Sequence, residues 1–196
     1  MSSSWRGLAS KPLGCPLTGS LRSAVDEASL AAYNPSVPQF PPDLQPVIEN
    51  LKAAERQLQV VVSRMPPTCW SESSPNADWN YKDLMAHLAT GDWVCQHFLT
   101  GLLETGRILD WPDADAGNSE RITARREKPV STLTKERAEH RRRTIELIER
   151  LQPEHLAQAI DMPGLNAYGV PFLRYLQGFP AHDINHTREL QAIVDK

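Results

Sequence analysis

The chain has 196 residues, a formal net charge of −3 at pH 7 and a sequence pI near 6.1. This length is enough for one domain with a full hydrophobic core and short for two. The near-neutral charge gives no drive toward nucleic acid or an acidic membrane surface, and no apolar run approaches the roughly 18 residues needed to span a bilayer. Composition therefore predicts that the protein binds neither nucleic acid nor membrane. A small molecule is the substrate that we expect.

The N-terminal segment differs in composition from the rest of the chain. Residues 1–42 are rich in Ser, Pro and Gly and contain no apolar stretch like the core of a signal peptide. We predict a poorly ordered extension followed by one domain over residues 43–196. Basic residues precede the first acidic residue, Asp26, so an organellar transit peptide is the alternative. Three cysteines without CxxC spacing suit a reducing compartment, and we expect a cytoplasmic location.

Apolar residues at spacings of three and four predict four amphipathic helices. They cover about residues 43–65, 80–104, 132–151 and 171–194. Ser131 is the expected N-cap of the third helix, and Pro180 is expected either to kink the fourth or to mark a fresh start. Four helices of this length predict an all-α fold built as a four-helix bundle.

The connection between the second and third helices is long. Residues 105–130 form a link of about 25 residues, much more than an antiparallel neighbour requires. Such a link can cross the whole bundle, so the second and third helices can run parallel.

Histidines occupy the inward faces of two predicted helices. The segment HDINH at 182–186 puts two imidazoles at positions i and i+4, with about 5–6 Å between their Cβ atoms. His87 takes a place on the second helix where a core leucine would be expected, about 10 Å from the helix start at the usual rise. In an antiparallel pair of helices the three depths coincide. His87, His182 and His186 are therefore predicted to hold a divalent metal, the alternative being hydrogen-bonded core histidines.

Three neutral imidazoles leave at least one position open on the ion, as in a catalytic site. Zn²⁺, Ni²⁺, Fe²⁺ and Mn²⁺ all fit, because imidazole discriminates poorly between them. Two carboxylates are candidate hydrogen-bond acceptors for the ring N–H groups that face away from the metal: Asp83, one turn before His87, and Glu189, three residues after His186. Surface carboxylates on solvated helix faces are the alternative interpretation of both.

Candidate substrate-binding residues lie on the third helix and in the crossover. Arg137 and His140 or Arg141 point inward near the start of the third helix, where they can bind an anionic cofactor or substrate. The alternative is that they reach solvent or pair with neighbouring glutamates. Trp111, in the crossover, is the candidate lid of a pocket.

Two sequence motifs resemble those of a known family. WNYKDLMAHLA at residues 79–89 resembles the opening of the second helix in the DinB/YfiT-like superfamily, and HDINHTREL at 182–190 resembles its last-helix HxxxH motif. The resemblance covers about residues 43–194. It implies an up-down-down-up four-helix bundle, a divalent metal on the three matching histidines and, as in many members, a homodimer.

The resemblance also implies a reaction class. Characterised members include thiol-dependent S-transferases and a mycothiol-dependent maleylpyruvate isomerase. The expected function is therefore a metal-dependent enzyme that transfers or adds a low-molecular-weight thiol to an electrophilic substrate. Water in the open metal position would give a hydrolase instead, and a non-catalytic metal-binding module of a stress response is the alternative from another class.

Overall fold

The computed structural model describes residues 41–76, 78–163 and 166–195, and the predicted N-terminal extension lies almost wholly outside them. The described chain is mostly helical, which confirms the all-α prediction in its coarse form. Its helices are α1 (Leu44–Arg64), α2 (Tyr81–Thr90), α3 (Trp93–Thr105), α4 (Ala114–Thr123), α5 (Val130–Ile148), the one-turn α6 (Pro153–Leu156) and α7 (Phe172–Val194). A 3₁₀ turn at Pro67–Ser71 follows α1. The up-down-down-up order of a bundle stays a prediction.

The helices of the structure differ from the predicted ones at three places. The second predicted helix is divided into α2 and α3 at Gly91 and Asp92, and the Asp92 side chain is fully buried at this break. α5 begins at Val130 after Pro129, so Ser131 is not its cap. α7 runs unbroken through Pro180, so the predicted fresh start is wrong.

The long crossover and the segment before α7 both contain structure that the sequence pattern did not predict. α4 lies within the crossover, and the Asp113 side chain caps it by accepting a hydrogen bond from the N–H of Ala116 at 3.0 Å. β1 (Ala159–Met162) and β2 (Ala167–Pro171) form an antiparallel hairpin with Ile160 opposite Val170. Only two side chains of β1 are buried, which is too short a run to show alternation.

Apolar residues pack at both ends of the helical assembly. α1 packs against α5 and α7, and α2 packs against α4, α5 and α7. One apolar cluster gathers the first half of α1 with α3, the end of α5, the hairpin and the start of α7. A second gathers the end of α1 with α2 and the end of α7. No helix in the described ranges is long and apolar enough to cross a membrane.

Charged side chains lie between these two clusters, and we call them the ion layer. On α1, Glu55 falls between Leu51 of the first cluster and Leu58 of the second. On α7, Asp183 falls in the same way between Leu176 and Leu190. The layer consists of five buried residues: Glu55, Asp92, Arg137, Arg141 and Asp183.

Candidate metal centre

α2 carries the first histidine, and a capping box fixes where this helix begins. The Asn80 side chain accepts a hydrogen bond from the N–H of Asp83 at 2.8 Å, and the Asp83 carboxylate accepts one from the N–H of Asn80 at 3.4 Å. This pairing satisfies two amide groups that a helix start otherwise leaves without partners. It sets the register of α2, and with it the face on which His87 lies.

α7 brings the other two histidines to His87. The candidate ligand atoms of His87, His182 and His186 all lie within 4.8 Å of one another, and no fourth residue joins this group in the described ranges. The Nε2 atoms of His87 and His182 are 2.9 Å apart. The three ring centroids are 4.7–5.1 Å apart in pairs. Three nitrogen donors around one point could hold a divalent metal ion.

Burial favours the neutral, metal-binding form of two of these imidazoles, His87 and His182. Only 4% of His87 is exposed, and burial, followed by the neighbouring His182 and His186, holds the pKa of His87 well below its usual value. Burial likewise lowers the pKa of His182. Neutral imidazole has a free lone pair, whereas the protonated ring has none. The Nδ1 atom of His87 is buried without a recorded hydrogen-bond partner. The donor set fits a divalent cation.

The α7 histidines lie at the border of the buried face and not at its centre. Their side chains keep 22% exposure at His182 and 15% at His186, whereas Asp183 and Thr187 are 1% and 0% exposed. The sequence pattern placed His182 and His186 on the buried face of α7. In the structure the buried positions are the next residues, Asp183 and Thr187. His182 and His186 therefore face partly outward, whereas Asp183 and Thr187 face the interior.

Carboxylates contact the Nδ1 atoms of two of the rings. Glu189 Oε2 lies 2.9 Å from His186 Nδ1, as the sequence pattern predicted for a second acceptor. Asp183 Oδ1 lies 3.4 Å from His182 Nδ1. Asp83, the other predicted acceptor, instead completes the capping box and accepts a hydrogen bond from Arg126 Nε at 3.1 Å. Its carboxylate is thus used at the start of α2 and not behind His87.

Arg137 is the centre of the ion layer. Its side chain is fully buried and donates to Glu55 at 2.9 Å, Asp92 at 2.8 Å and Asp183 at 2.5 Å. It also donates to the carbonyl oxygen of Leu88, at 3.1 Å. Burial by itself would lower the pKa of Arg137, but the three carboxylates raise it above its usual value. Every nitrogen of this guanidinium is therefore used within the protein.

Arg141 joins the same carboxylates. It is 2% exposed, and its Nη2 donates to Asp92 at 2.8 Å and to Asp183. Its guanidinium also lies 5.3 Å from the centroid of the Phe179 ring. Arg137 and Arg141 were both candidates for binding an anionic substrate. In the structure both guanidinium groups donate to carboxylates inside the fold, and a role in binding an anionic substrate stays a prediction.

The other two candidate substrate residues lie apart from these contacts. His140 is half-buried on α5, its backbone oxygen accepts a hydrogen bond from Gln96, and burial lowers the pKa of its ring. Trp111 packs against Phe98, with 5.6 Å between ring centroids, at the edge of the first apolar cluster. The recorded contacts of Trp111 are those of a core residue, and they do not support the predicted lid.

Sequence reasoning missed the carboxylates of the ion layer. Asp183 and Thr187 stand in a stripe with Leu176, Pro180 and Leu190, at spacings of four and three. Glu55 similarly lies four residues after Leu51 and three before Leu58. A charged residue inside a regular apolar stripe was the signal that could have revealed them, because burial of a charge requires a partner.

An open cavity of about 650 Å³ lies beside the centre. Trp79, whose ring is 5.1 Å from that of His87, forms part of its wall, and the three histidines do not line it. Its lining includes cations, Lys82 and Arg126, as well as acids such as Asp83 and Glu127. Trp79 therefore lies between the cavity and His87 and contacts both.

Comparison with known proteins agrees with the motifs. The family model of the DinB superfamily matches residues 50–190, a span that holds the three histidines and the whole ion layer. No curated protein and no solved structure matches the chain. The matched span covers well over half of the sequence. The chain belongs to the DinB superfamily.

Proposed function

We propose that this protein is a metal-dependent enzyme that transfers or adds a low-molecular-weight thiol to an electrophilic substrate. The observation that carries the proposal is the set of three converging imidazoles with no fourth ligand among the described residues. Three protein ligands are typical of catalytic sites, which keep a position open, and four are typical of structural ones. The thiol chemistry rests on the family resemblance.

In this proposal His87, His182 and His186 hold a divalent cation, with Zn²⁺, Ni²⁺, Fe²⁺ and Mn²⁺ as candidates. A bound cation of this kind supplies a Lewis acid that lowers the pKa of a thiol or of water. Glu189, 2.9 Å from His186 Nδ1, orients that ring. The partly exposed edges of His182 and His186 are the side from which substrate and thiol enter.

The reaction forms one sulfur–carbon bond. The thiol loses its proton, and its sulfur lone pair attacks the electrophilic carbon. In an addition the proton goes to the neighbouring carbon of the substrate, and in a transfer the leaving group departs with the electron pair of its bond. A hydrolase would use water in place of the thiol, and a non-catalytic metal-binding module would use neither.

We extend the proposal to the setting in which the site works. The domain comprises residues 43–196 and is an up-down-down-up four-helix bundle, in which the crossover that contains α4 joins the parallel second and third helical segments. Two copies form a homodimer, and the protein is cytoplasmic. The packing of α1 against α7 and of α2 against α5 supports the bundle; the homodimer rests on the resemblance and the compartment on cysteine usage.

The test measures metal content and thiol consumption together. Protein purified without chelator is expected to contain one equivalent of divalent metal, and the His87→Ala variant to contain none. His97→Ala is the matched control, because His97 lies on α3 with its ring 3.1 Å from the Asp110 carbonyl oxygen, outside the centre. It should keep its metal.

The metal-loaded protein is then given glutathione, cysteine or mycothiol with an activated alkene or an aryl halide. Thiol loss that requires metal and is abolished in His87→Ala is the expected result. Hydrolysis of ester or amide substrates without thiol loss would replace the proposal by the hydrolase. A metal-free native protein would overturn it.

A further inference from the structure

The carboxylate of Asp183 contacts both the ion layer and the candidate metal centre. Its Oδ2 accepts hydrogen bonds from Arg137 Nη2 at 2.5 Å and from Arg141 Nη2. Its Oδ1 lies 3.4 Å from His182 Nδ1. Asp183 is 1% exposed, so water does not compete for these contacts. One buried side chain therefore joins two guanidinium groups to one of the candidate ligands.

The orientation of His182 shows what this contact does. The Nε2 of His182 points at the centre, since it lies 2.9 Å from the Nε2 of His87. Nδ1 is then on the far side of the ring, toward Asp183. A neutral imidazole carries one N–H, and the hydrogen bond that this N–H makes decides which nitrogen keeps its lone pair. An acceptor at Nδ1 leaves the lone pair on Nε2, where an ion needs it.

Other helices hold Asp183 in place. Arg137 is anchored by Glu55 on α1 and by Asp92 before α3, at 2.9 and 2.8 Å. The position of the Asp183 carboxylate is therefore set by contacts from α1, α3 and α5 as well as by its own helix. Two guanidinium groups and three carboxylates give the ion layer a formal charge of 2 − 3 = −1. This excess negative charge lies beside the point where a cation would bind.

We propose that Asp183 is a positioning residue that the Arg137–Arg141 pair holds against His182, so that the ring presents Nε2 to the ion. The inference rests on the proposed metal centre and goes beyond it by assigning a role to the ion layer. Asp183 does not touch the ion or the substrate. It acts through His182.

Asp183→Asn is the informative substitution because it changes the polarity of the contact and keeps its size. The arginine pair requires an acceptor, so the amide oxygen turns to Arg137 and Arg141. The amide NH₂ then faces His182 Nδ1 and places a donor against a donor. Glu55→Gln is the matched control: it also removes one negative charge from the ion layer, its amide oxygen can still accept the hydrogen bond from Arg137 Nε, and Glu55 contacts no histidine.

The experiment measures affinity for Zn²⁺ by competition with a chelator and records the visible spectrum of the Co²⁺-loaded proteins. Asp183→Asn is expected to bind Zn²⁺ about 10- to 100-fold more weakly, the usual effect of losing an outer partner of a ligand, and to shift the Co²⁺ spectrum. Glu55→Gln is expected to keep the native affinity and spectrum. Equal weakening in both variants would overturn the positioning role, because charge alone would then explain it.

A measurement on the native protein covers the case in which Asp183→Asn does not fold. Long-range ¹H–¹⁵N spectra of the Zn²⁺-loaded chain report which ring nitrogen of each histidine carries the proton. His182 is expected to be protonated at Nδ1, and a proton at Nε2 would overturn the inference. Failure of the native protein to bind Zn²⁺ or Co²⁺ would instead overturn the proposed metal centre. The two failures are thus distinguishable.

Discussion

The candidate metal centre and the ion layer are two buried polar groups side by side on α7. In the ion layer, two guanidinium groups contact three carboxylates, so opposite charges face each other within the protein. In the centre, three nitrogen donors converge, and no carboxylate of the described residues joins them. His182 and Asp183 are consecutive in sequence, yet the His182 side chain is 22% exposed and that of Asp183 only 1%.

This difference separates a structural polar group from a functional one. A buried charge is tolerated when oppositely charged partners surround it, so the presence of the ion layer does not require a ligand. Three ring nitrogens that converge on one point form the donor set that a divalent cation binds. The two regions therefore differ in the groups that face one another: opposite charges in the ion layer, and nitrogen donors alone in the centre.

The largest expected effect comes from breaking the ion layer. Arg137→Met leaves Glu55, Asp92 and Asp183 with Arg141 alone, and we expect the free energy of unfolding to fall by about 3–5 kcal/mol because buried charge loses its partner. Urea unfolding followed by circular dichroism measures it. Arg142→Met is the control on the same helix, where an exposed arginine pairs with Glu139, and its unfolding should be unchanged. Equal stability of both variants would contradict a structural ion layer.

Metal removal should have a smaller effect on stability. The apolar clusters and the ion layer do not depend on the ion, so the chelated protein is expected to keep its helical spectrum and unfold cooperatively. Where free metal is 100 times its Kd, linkage predicts a loss of about 2.7 kcal/mol on chelation. His87→Ala should show no such response to chelator. Loss of the fold on chelation would favour the non-catalytic, structural ion.

The sequence predicted the centre because its signal is local and periodic. The i,i+4 histidines and the inward position of His87 are visible in single helices, and the four helical segments follow from spacings of three and four. The partners of Arg137 in the ion layer lie 45 to 82 residues away along the chain. Such pairings depend on the packing of α1, α3, α5 and α7, which no single helix reveals. Charged residues on α5 were therefore assigned to substrate or solvent.

The break at Gly91 and the position of the buried stripe on α7 escaped prediction for a related reason. Apolar residues recur at helical spacing on both sides of the break, at Leu88, Val94 and Cys95, so periodicity indicates one helix. In the structure the Asp92 side chain turns inward and contacts Arg137. On α7, both the histidine stripe and the Asp183 stripe fit the helical period. Only the partners on other helices decide which of the two is buried.

The smallest expected effect concerns the two carboxylates behind the α7 histidines. Glu189 contacts His186 at 2.9 Å but its side chain is 29% exposed, whereas Asp183 is 1% exposed. Water can replace Glu189 as the acceptor, so Glu189→Gln is expected to weaken Zn²⁺ binding by about tenfold, the low end for such partners. Glu49→Gln, at an exposed position of α1, should leave the affinity unchanged. If Glu189→Gln weakened Zn²⁺ binding more than Asp183→Asn, the shorter contact would matter more than burial. That result would contradict the proposal that the ion layer positions His182 through Asp183.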